Sequence, residues 1–199
     1  MNDSQRPPFA AQELRNLLIE TDAMLEGHFL LSSGLHSDRY LQCALVLAHP
    51  AHAASLGAAL AKLCPVRPDL VLSPALGGIV IGQETAATLG VRAYFAEREN
   101  GQMTLRRGFR IRPGEKVVVV EDVITTGKST GEVIALARAL GAQVVGALSI
   151  VDRAAAAPDL GVPVASLLHM PLVATPAGEC GLCRQGKPLV KPGSRTTKP

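Results

Sequence analysis

The sequence predicts an α/β protein, a central and mostly parallel sheet flanked by helices, carried as one domain by 199 residues. Three observations lead there. Val117 to Val120 are four β-branched residues without polar interruption, the pattern of a strand buried on both faces of a parallel sheet. Strand-like and helix-like segments alternate from Pro50 to Leu168, as successive βαβ units require. Several apolar runs end in residues that carry chemistry, and open α/β sheets place their sites outside the carboxyl ends of their strands.

Taken in order, residues from about Ala10 to Met24 set Leu14, Leu17, Leu18 and Leu25 at helical spacing, an amphipathic helix ended by Gly27. From Gly27 to Cys43 apolar and polar residues alternate around Ser32-Ser33-Gly34, which suggests a short hairpin or an extended hood. His28 and His36 fall in this stretch and are expected to have surface or cap roles. Pro50 opens a second helix whose core face is Leu56, Ala59, Leu60 and Leu63. Asp69 to Ser73 is a buried strand, and Pro74-Ala75-Leu76-Gly77-Gly78 turns into an apolar helix reaching about Leu89.

Val91 to Ala96 forms the next strand. Glu97 to Arg110 then carries four arginines and two glutamates without an apolar period, a loop or hairpin arm. Long basic loops beside a site commonly serve as lids. Strand 117–120 is followed by a hydroxyl-rich turn and a helix from about Thr130 to Leu140. Val144 to Val151 is another buried strand that delivers Asp152 and Arg153, residues 154–160 are a loop or short helix, and Val162 to Leu168 is a last strand at the sheet edge. The tail from Arg184 is basic and proline-rich, the composition of a solvated arm. Along the chain, the ends at about 10–45 and 171–199 make a hood and a C-terminal arm around an α/β core at about 46–170.

Composition narrows the function. Hydrophobic residues make up 47% and aromatics only 3%, with no Trp, so Val, Leu, Ile and Ala fill the core. A net charge of +3 with two Tyr and four Phe argues against a nucleic-acid surface. Apolar runs stop well short of the ~20 residues that span a bilayer. Met1 to Pro8 shows no signal-peptide core, so a cytoplasmic protein is expected. Four unevenly placed cysteines suit reduced thiols better than a disulfide framework. Cys180-Gly181-Leu182-Cys183 supplies two zinc ligands at most. His169 is a conceivable third and a dimer could complete the set, but two thiols in a turn is the plainer reading.

The chemistry centres on Val117-Val118-Val119-Val120-Glu121-Asp122-Val123-Ile124-Thr125-Thr126-Gly127-Lys128-Ser129-Thr130. A loop that starts a helix offers free backbone N–H groups and the positive end of the dipole, and so holds phosphate. Carboxylates repel phosphate, so Glu121 and Asp122 must serve another group, and the vicinal hydroxyls of a ribose fit. A ribose-5-phosphate cradle is the result. Gly127-Lys128-Ser129 imitates the end of a Walker A loop, but Asp122 stands where that loop needs Gly. The small residues at 74–78 can bring backbone N–H groups close to a second anion. Arg153, at a strand end near the cradle, could hold a carboxylate or a polar ring.

Acid-acid-Val-Ile-Thr-Thr-Gly after an apolar strand resembles the phosphoribosyl pyrophosphate (PRPP) motif of the type I phosphoribosyltransferases. Together with the hood at Gly27–Gln42, the turn at 74–78, the arginine loop and Asp152-Arg153, nearly the whole chain resembles the branch of that family that uses orotate. The resemblance implies the type I fold, a Mg²⁺-dependent transfer of phosphoribose from PRPP to orotate to give orotidine 5′-monophosphate, and a homodimer whose lid crosses to the neighbouring site. It implies that Glu121 and Asp122 take the ribose hydroxyls and that Val123, Ile124 and Thr125 to Ser129 (Thr126, Gly127 and Lys128 included) hold the phosphoribosyl group. Ala75, Leu76 and Gly77 would form the pyrophosphate loop, with a cis peptide near Ala75-Leu76. Thr125, Arg153, Tyr40 and Leu41 would meet orotate. Asp122 with lid residues Arg98 and Arg106 would be catalytic.

Familiar members carry lysines in the hood, the pyrophosphate loop and the lid. Here those places hold Ser32, Gly77 and a shorter, arginine-rich lid. Two other readings stand beside this one. A base-salvage phosphoribosyltransferase would share the cradle and differ in the hood, and a PRPP-sensing regulator would need a basic, aromatic-bearing nucleic-acid surface.

Overall fold

A computed structural model of the chain describes residues 9–31, 33–156, 158–171 and 173–192. Ser32, the hood residue singled out above, lies outside the described residues, as do 193–199 of the tail. Two sheets form. The larger has six strands, β3 (Leu70–Pro74), β4 (Arg92–Glu99), β5 (Gln102–Leu105), β6 (Lys116–Ile124), β7 (Gln143–Asp152) and β8 (Val164–His169), in the order β5-β4-β3-β6-β7-β8. All neighbours pair in parallel except β4 and β5, an antiparallel hairpin at one edge. The smaller sheet joins β1 (Met24–Leu30), β2 (His36–Leu41) and the two-residue β9 (Ala174–Thr175).

The four-valine run is the middle of β6, and all four side chains are fully buried. Alternation splits them between two cores. Val118 and Val120 join Leu56, Leu60, Val71, Ile81, Leu148 and Ile150 on one face. That face is covered by α3 (Pro50–Leu63) and α4 (Gly78–Leu89), with α1 (Ala11–Glu20) and α2 (Cys43–Leu47) adding Leu14, Leu18 and Val46. Val117 and Val119 join Leu70, Leu72, Val133, Ile134 and Ala137 on the other, under α5 (Lys128–Ala139). Each buried valine contributes about 1.5–3 kcal/mol relative to exposure. A strand sandwiched in this way is the fixed post on which the loops at its carboxyl end are hung.

Three boundaries differ from expectation. The first helix stops at Glu20, where Thr21 Oγ1 donates to Leu17 O at 2.8 Å and Asp22 takes a left-handed φ of 54°. Gly27 therefore does not end a helix. It sits inside β1 beside a bulge between Glu26 and Phe29, and a β-carbon there would come 2.9 Å from the Phe29 ring. β6 continues to Ile124 instead of stopping at Val120, because its ladder with β7 runs to Ile124↔Asp152. The described part of the tail past Arg184 is largely exposed, as a solvated arm should be, but it is tied down. A short helix α6 (Gly181–Arg184) leads into a segment docked on β1, with Leu30 N–H donating to Val190 O at 2.8 Å and Val190 N–H to His28 O at 2.9 Å.

His28 and His36 depart furthest from their expected surface or cap roles. Both are buried, at 3% and 4% exposure, and they face each other across β1 and β2. Among the described residues no helix is long and apolar enough to cross a membrane.

Candidate active site

The ladder between β3 and β6 ends early, at Leu72↔Val119, while the β6–β7 ladder continues five residues further. The chain leaves β3 through α4 toward β4 on one side, and leaves β6 through α5 toward β7 on the other. The order of the sheet therefore reverses between β3 and β6, and a crevice opens at their carboxyl ends. Such a switch point is the common ligand site of open α/β sheets.

Glu121 and Asp122 lie at this point on the part of β6 that β3 no longer covers. Being consecutive strand residues, they face opposite sides of the sheet. Both are half-buried. Glu121 Oε2 accepts a short hydrogen bond from Thr130 Oγ1, in the first turn of α5. Burial pushes the Glu121 carboxyl up to about 7, against the pull of Thr130 and with a smaller push from Asp122. Asp122 is also raised by burial, opposed by backbone N–H donors that include Val123 N–H at 2.9 Å. Each acid has a donor from the protein and keeps further lone pairs that a ligand's hydroxyls can fill.

The turn after β6 is built for an anion. Gly127 has a φ of 73°, and a β-carbon there would press on Pro158 and Leu160 at 3.0–3.1 Å. The N-cap residue Gly127 has no side chain to cap α5, and the one side-chain acceptor at its first turn is the Thr126 hydroxyl, 3.4 Å from Lys128 N–H. Thr125, Thr126 and Lys128 are exposed around them, and Ser129 is half-buried. Val123 is half-buried and Ile124 buried, so the side chain of Ile124 belongs to the core. The Ile124 carbonyl is also engaged, accepting from Arg153 N–H at 2.7 Å.

Across the crevice, the turn after β3 carries a cis peptide between Ala75 and Leu76. Leu76 is 83% exposed, far above what packing would give a leucine. Gly77 closes on the acids, since a β-carbon there would stand 2.6–2.8 Å from the Asp122 carboxylate. The loop and the acid thus form one surface.

Arg153, at the end of β7, is 9% exposed, and its Nε has no hydrogen-bond partner among the described residues. Burial pulls its pKa down, while the nearby Cys43 and Asp38 act the other way. A guanidinium stays charged in any such setting. Asp152 shapes the turn that carries it, accepting from Ala154 N–H at 2.8 Å and lying 3.1 Å from His169 Nδ1. His169 is therefore engaged with Asp152 and not with the two cysteines. Tyr40 and Leu41 close β2, Tyr40 tilted on Phe29 at 5.9 Å and Leu41 packed against the larger core. The hood strand and Arg153 are neighbours through Asp38, Arg39 and Cys43.

The sequence reading passed over Cys43. Its thiol is buried and raised by that burial, with Asp122 pushing it further up and Arg153 opposing. Only the fold brings it between the two, because 79 and 110 residues separate them along the chain.

The lid arginines are not gathered at the crevice. Arg98 donates to Gly101 O at 2.8 Å and forms a tight ion pair with Glu132 of α5. Arg106 lies 3.6 Å from Glu99 and Arg107 holds Glu97 at 2.7 Å, both within the β4–β5 hairpin. These exposed pairs are worth little to stability. β4 itself is held in the central sheet and Met103 and Leu105 of β5 pack on the core, so only the arginine side chains and the hairpin tip are loosely tied.

Comparison with known proteins identifies the family and the fold. A model of the phosphoribosyl transferase domain matches residues 46–165. The orotate phosphoribosyltransferase of Heliobacterium modesticaldum is 49% identical over 187 residues, covering 92% of this chain and 98% of its own. That of Carboxydothermus hydrogenoformans is 50% identical over 186 residues, covering 92% and 97%. Among solved structures, orotate phosphoribosyltransferase from Aeropyrum pernix superposes with a TM-score of 0.68 at 27% identity, over 79% of this chain and 93% of that one.

Proposed function

This chain belongs to the phosphoribosyltransferase family, among its orotate phosphoribosyltransferases, and we propose residue by residue how its crevice serves the reaction. The enzyme transfers the 5-phosphoribosyl group from PRPP to orotate, giving orotidine 5′-monophosphate and pyrophosphate in pyrimidine biosynthesis. The observation that carries the site assignment is the buried guanidinium of Arg153, with Nε unpartnered among the described residues, beside a raised acid pair at the switch point.

In this reading Thr125, Thr126, Gly127, Lys128 and Ser129 hold the 5′-phosphate with backbone N–H groups and hydroxyls. Glu121 and Asp122 accept from the ribose hydroxyls and fix the ring. Val123 and Ile124 support the cradle through backbone and packing, not through side-chain contact with substrate. Ala75, Leu76 and Gly77 seat the pyrophosphate. Arg153 pairs with the orotate carboxylate as a planar fork, Thr125 reaches the base, and Tyr40 and Leu41 line its face. Orotate N1, once deprotonated, attacks the anomeric carbon as pyrophosphate leaves, so no side chain need act as nucleophile. The protein contributes position and charge. Asp122 steadies the ribose as positive charge develops on it, while Arg98 and Arg106 swing in from the hairpin to balance the departing pyrophosphate.

Mg²⁺ fits the donors present. The Asp122 carboxylate is covered on the crevice side by Gly77, which has no side chain, and hard carboxylate oxygens suit a cation that keeps much of its water. PRPP oxygens would be its main ligands, with the Asp122 carboxylate beside them, and it would supply charge neutralisation to the pyrophosphate. A homodimer supports the lid assignment, since Arg106 is tied to Glu99 in its own hairpin and could serve a neighbour's crevice. A cytoplasmic location accords with this soluble-substrate chemistry.

The test is pyrophosphate release from PRPP with and without Mg²⁺, over a panel of bases. Release that requires both orotate and Mg²⁺ supports the assignment. Release with adenine or hypoxanthine but not orotate would move the chain to base salvage and leave Arg153 without its role.

A further inference from the structure

In the hood, four side chains converge that the transfer reaction does not use. They are His28 from β1, His36 from β2, and Cys180 and Cys183 from the segment around α6. Their ligand atoms all lie within 4.8 Å of one another. Three of the four residues are buried and Cys183 is exposed. We propose that His28, His36, Cys180 and Cys183 bind one structural Zn²⁺ that fastens the C-terminal arm to the hood.

Geometry carries the proposal. Tetrahedral zinc with Zn–S near 2.3 Å and Zn–N near 2.0–2.1 Å puts neighbouring N and S atoms about 3.6 Å apart and two N atoms about 3.3 Å apart. Here Cys180 Sγ and Cys183 Sγ lie 3.5 and 3.6 Å from His28 Nε2, and Cys183 Sγ lies 3.3 Å from His36 Nδ1. The two imidazole nitrogens are 2.9 Å apart, so entry of the ion needs them to part by a few tenths of an ångström.

The surroundings orient the ligands as a metal requires. His28 Nδ1 is 2.9 Å from the Lys187 carbonyl oxygen. A carbonyl only accepts, so Nδ1 carries the proton and Nε2 presents its lone pair to the cluster, the usual outer partner of a metal-bound histidine. The backbone N–H groups of Cys183 and Leu182 are directed at the Cys180 sulfur. Those donors favour the thiolate that binds metal. Two thiolates with two neutral imidazoles select zinc over hard cations, and four protein ligands leave no open position for catalysis.

Position explains the use. β9 pairs with β2 at only two residues, His36↔Thr175 and Ser37↔Ala174, and the 187–190 segment holds β1 through a few hydrogen bonds. One ion bridging these elements would secure an arm that buries little of its own. It would also anchor the start of β2, whose far end is Tyr40-Leu41.

The experiment uses the full chain purified without a histidine tag. Its zinc content is measured by mass spectrometry after dialysis against micromolar ZnSO₄, and its cobalt-substituted form by visible absorption. We expect about one zinc per chain, tetrahedral cobalt bands with thiolate charge transfer, and loss of both in Cys180→Ser/Cys183→Ser. Trypsin should cut the chelated wild type after Arg184 while sparing the zinc form. No zinc uptake by the wild type, an octahedral cobalt spectrum, or full zinc retention by the double variant would overturn the proposal. Because the decisive measurement is on the unaltered chain, a misfolded variant does not rescue it.

Discussion

Gly77 and Asp122 meet so closely that any side chain at residue 77 would stand 2.6 Å from Asp122 Oδ1. Gly77 lies in the turn after β3 and Asp122 in β6, on either side of the switch point, and their contact joins the 75–77 turn to the acid pair. Gly77→Ala must displace the loop or an acid that Val123 N–H already holds at 2.9 Å. Steady-state kinetics should show kcat/KM for PRPP falling by about 10–100-fold, the scale of a modest misplacement of reacting groups. The melting temperature should hardly change, since both residues lie at the crevice and not in the core.

Asp122→Asn keeps shape and removes charge. Turnover should drop ~100–1000-fold, the worth of a well-aimed electrostatic group, with a near-native circular dichroism spectrum. Unaltered turnover would remove Asp122 from the site.

Arg153→Ala should lose orotate more than PRPP. A buried charged partner of a carboxylate is worth about 2–5 kcal/mol, so kcat/KM for orotate falls at least ~30-fold, and Arg153→Lys recovers little of it. Tighter relative use of a base without a carboxylate would be the accompanying sign.

Glu121, raised to about 7 by burial, gives a pH dependence of defined sign. In the unfolded chain it ionises near the ordinary 4.5. Between those values the folded state binds more protons than the unfolded state, so stability falls as pH rises from about 4.5 to about 7 and levels off above. Glu121→Gln abolishes that loss. Denaturant melts at pH 8 should show the variant more stable than wild type by ~1–3 kcal/mol, with no such gain at pH 4. Its catalysis should nevertheless be poorer, because the ionised form accepts from the ribose. For the wild type, kcat/KM for PRPP should rise through about pH 7.

Arg98→Ala and Arg106→Ala test the lid. Their ion pairs are exposed, so the melting temperature should move by no more than ~1–2 °C, while kcat falls ~10-fold or more. Stopped-flow measurement of the chemical step separates this from slowed product release.

Much of this was legible in the residues themselves. Four valines announce a doubly buried strand because nothing polar interrupts them, and the acids followed by a hydroxyl-rich turn do stand at the carboxyl end of that strand, before a helix. The cis peptide at Ala75-Leu76 was reachable through family resemblance and through nothing in the local composition. What stayed hidden was set by partners distant in the chain. β6 runs on to Ile124 because β7 lies beside it. Cys43 reaches Asp122 and Arg153 only through the packing of α2. His28 and His36, with no periodic or motif signal of their own, are buried against cysteines about 150 residues away, so the CxxC looked like half of nothing.

The most direct measurement is a crystal structure of the enzyme with PRPP and Mg²⁺. The account predicts the 5′-phosphate on the backbone N–H groups of residues 125–129, the ribose hydroxyls on Glu121 and Asp122, and the pyrophosphate against residues 75–77. A phosphoribosyl group bound anywhere that leaves the Glu121 and Asp122 carboxylates without contact to its hydroxyls would contradict it.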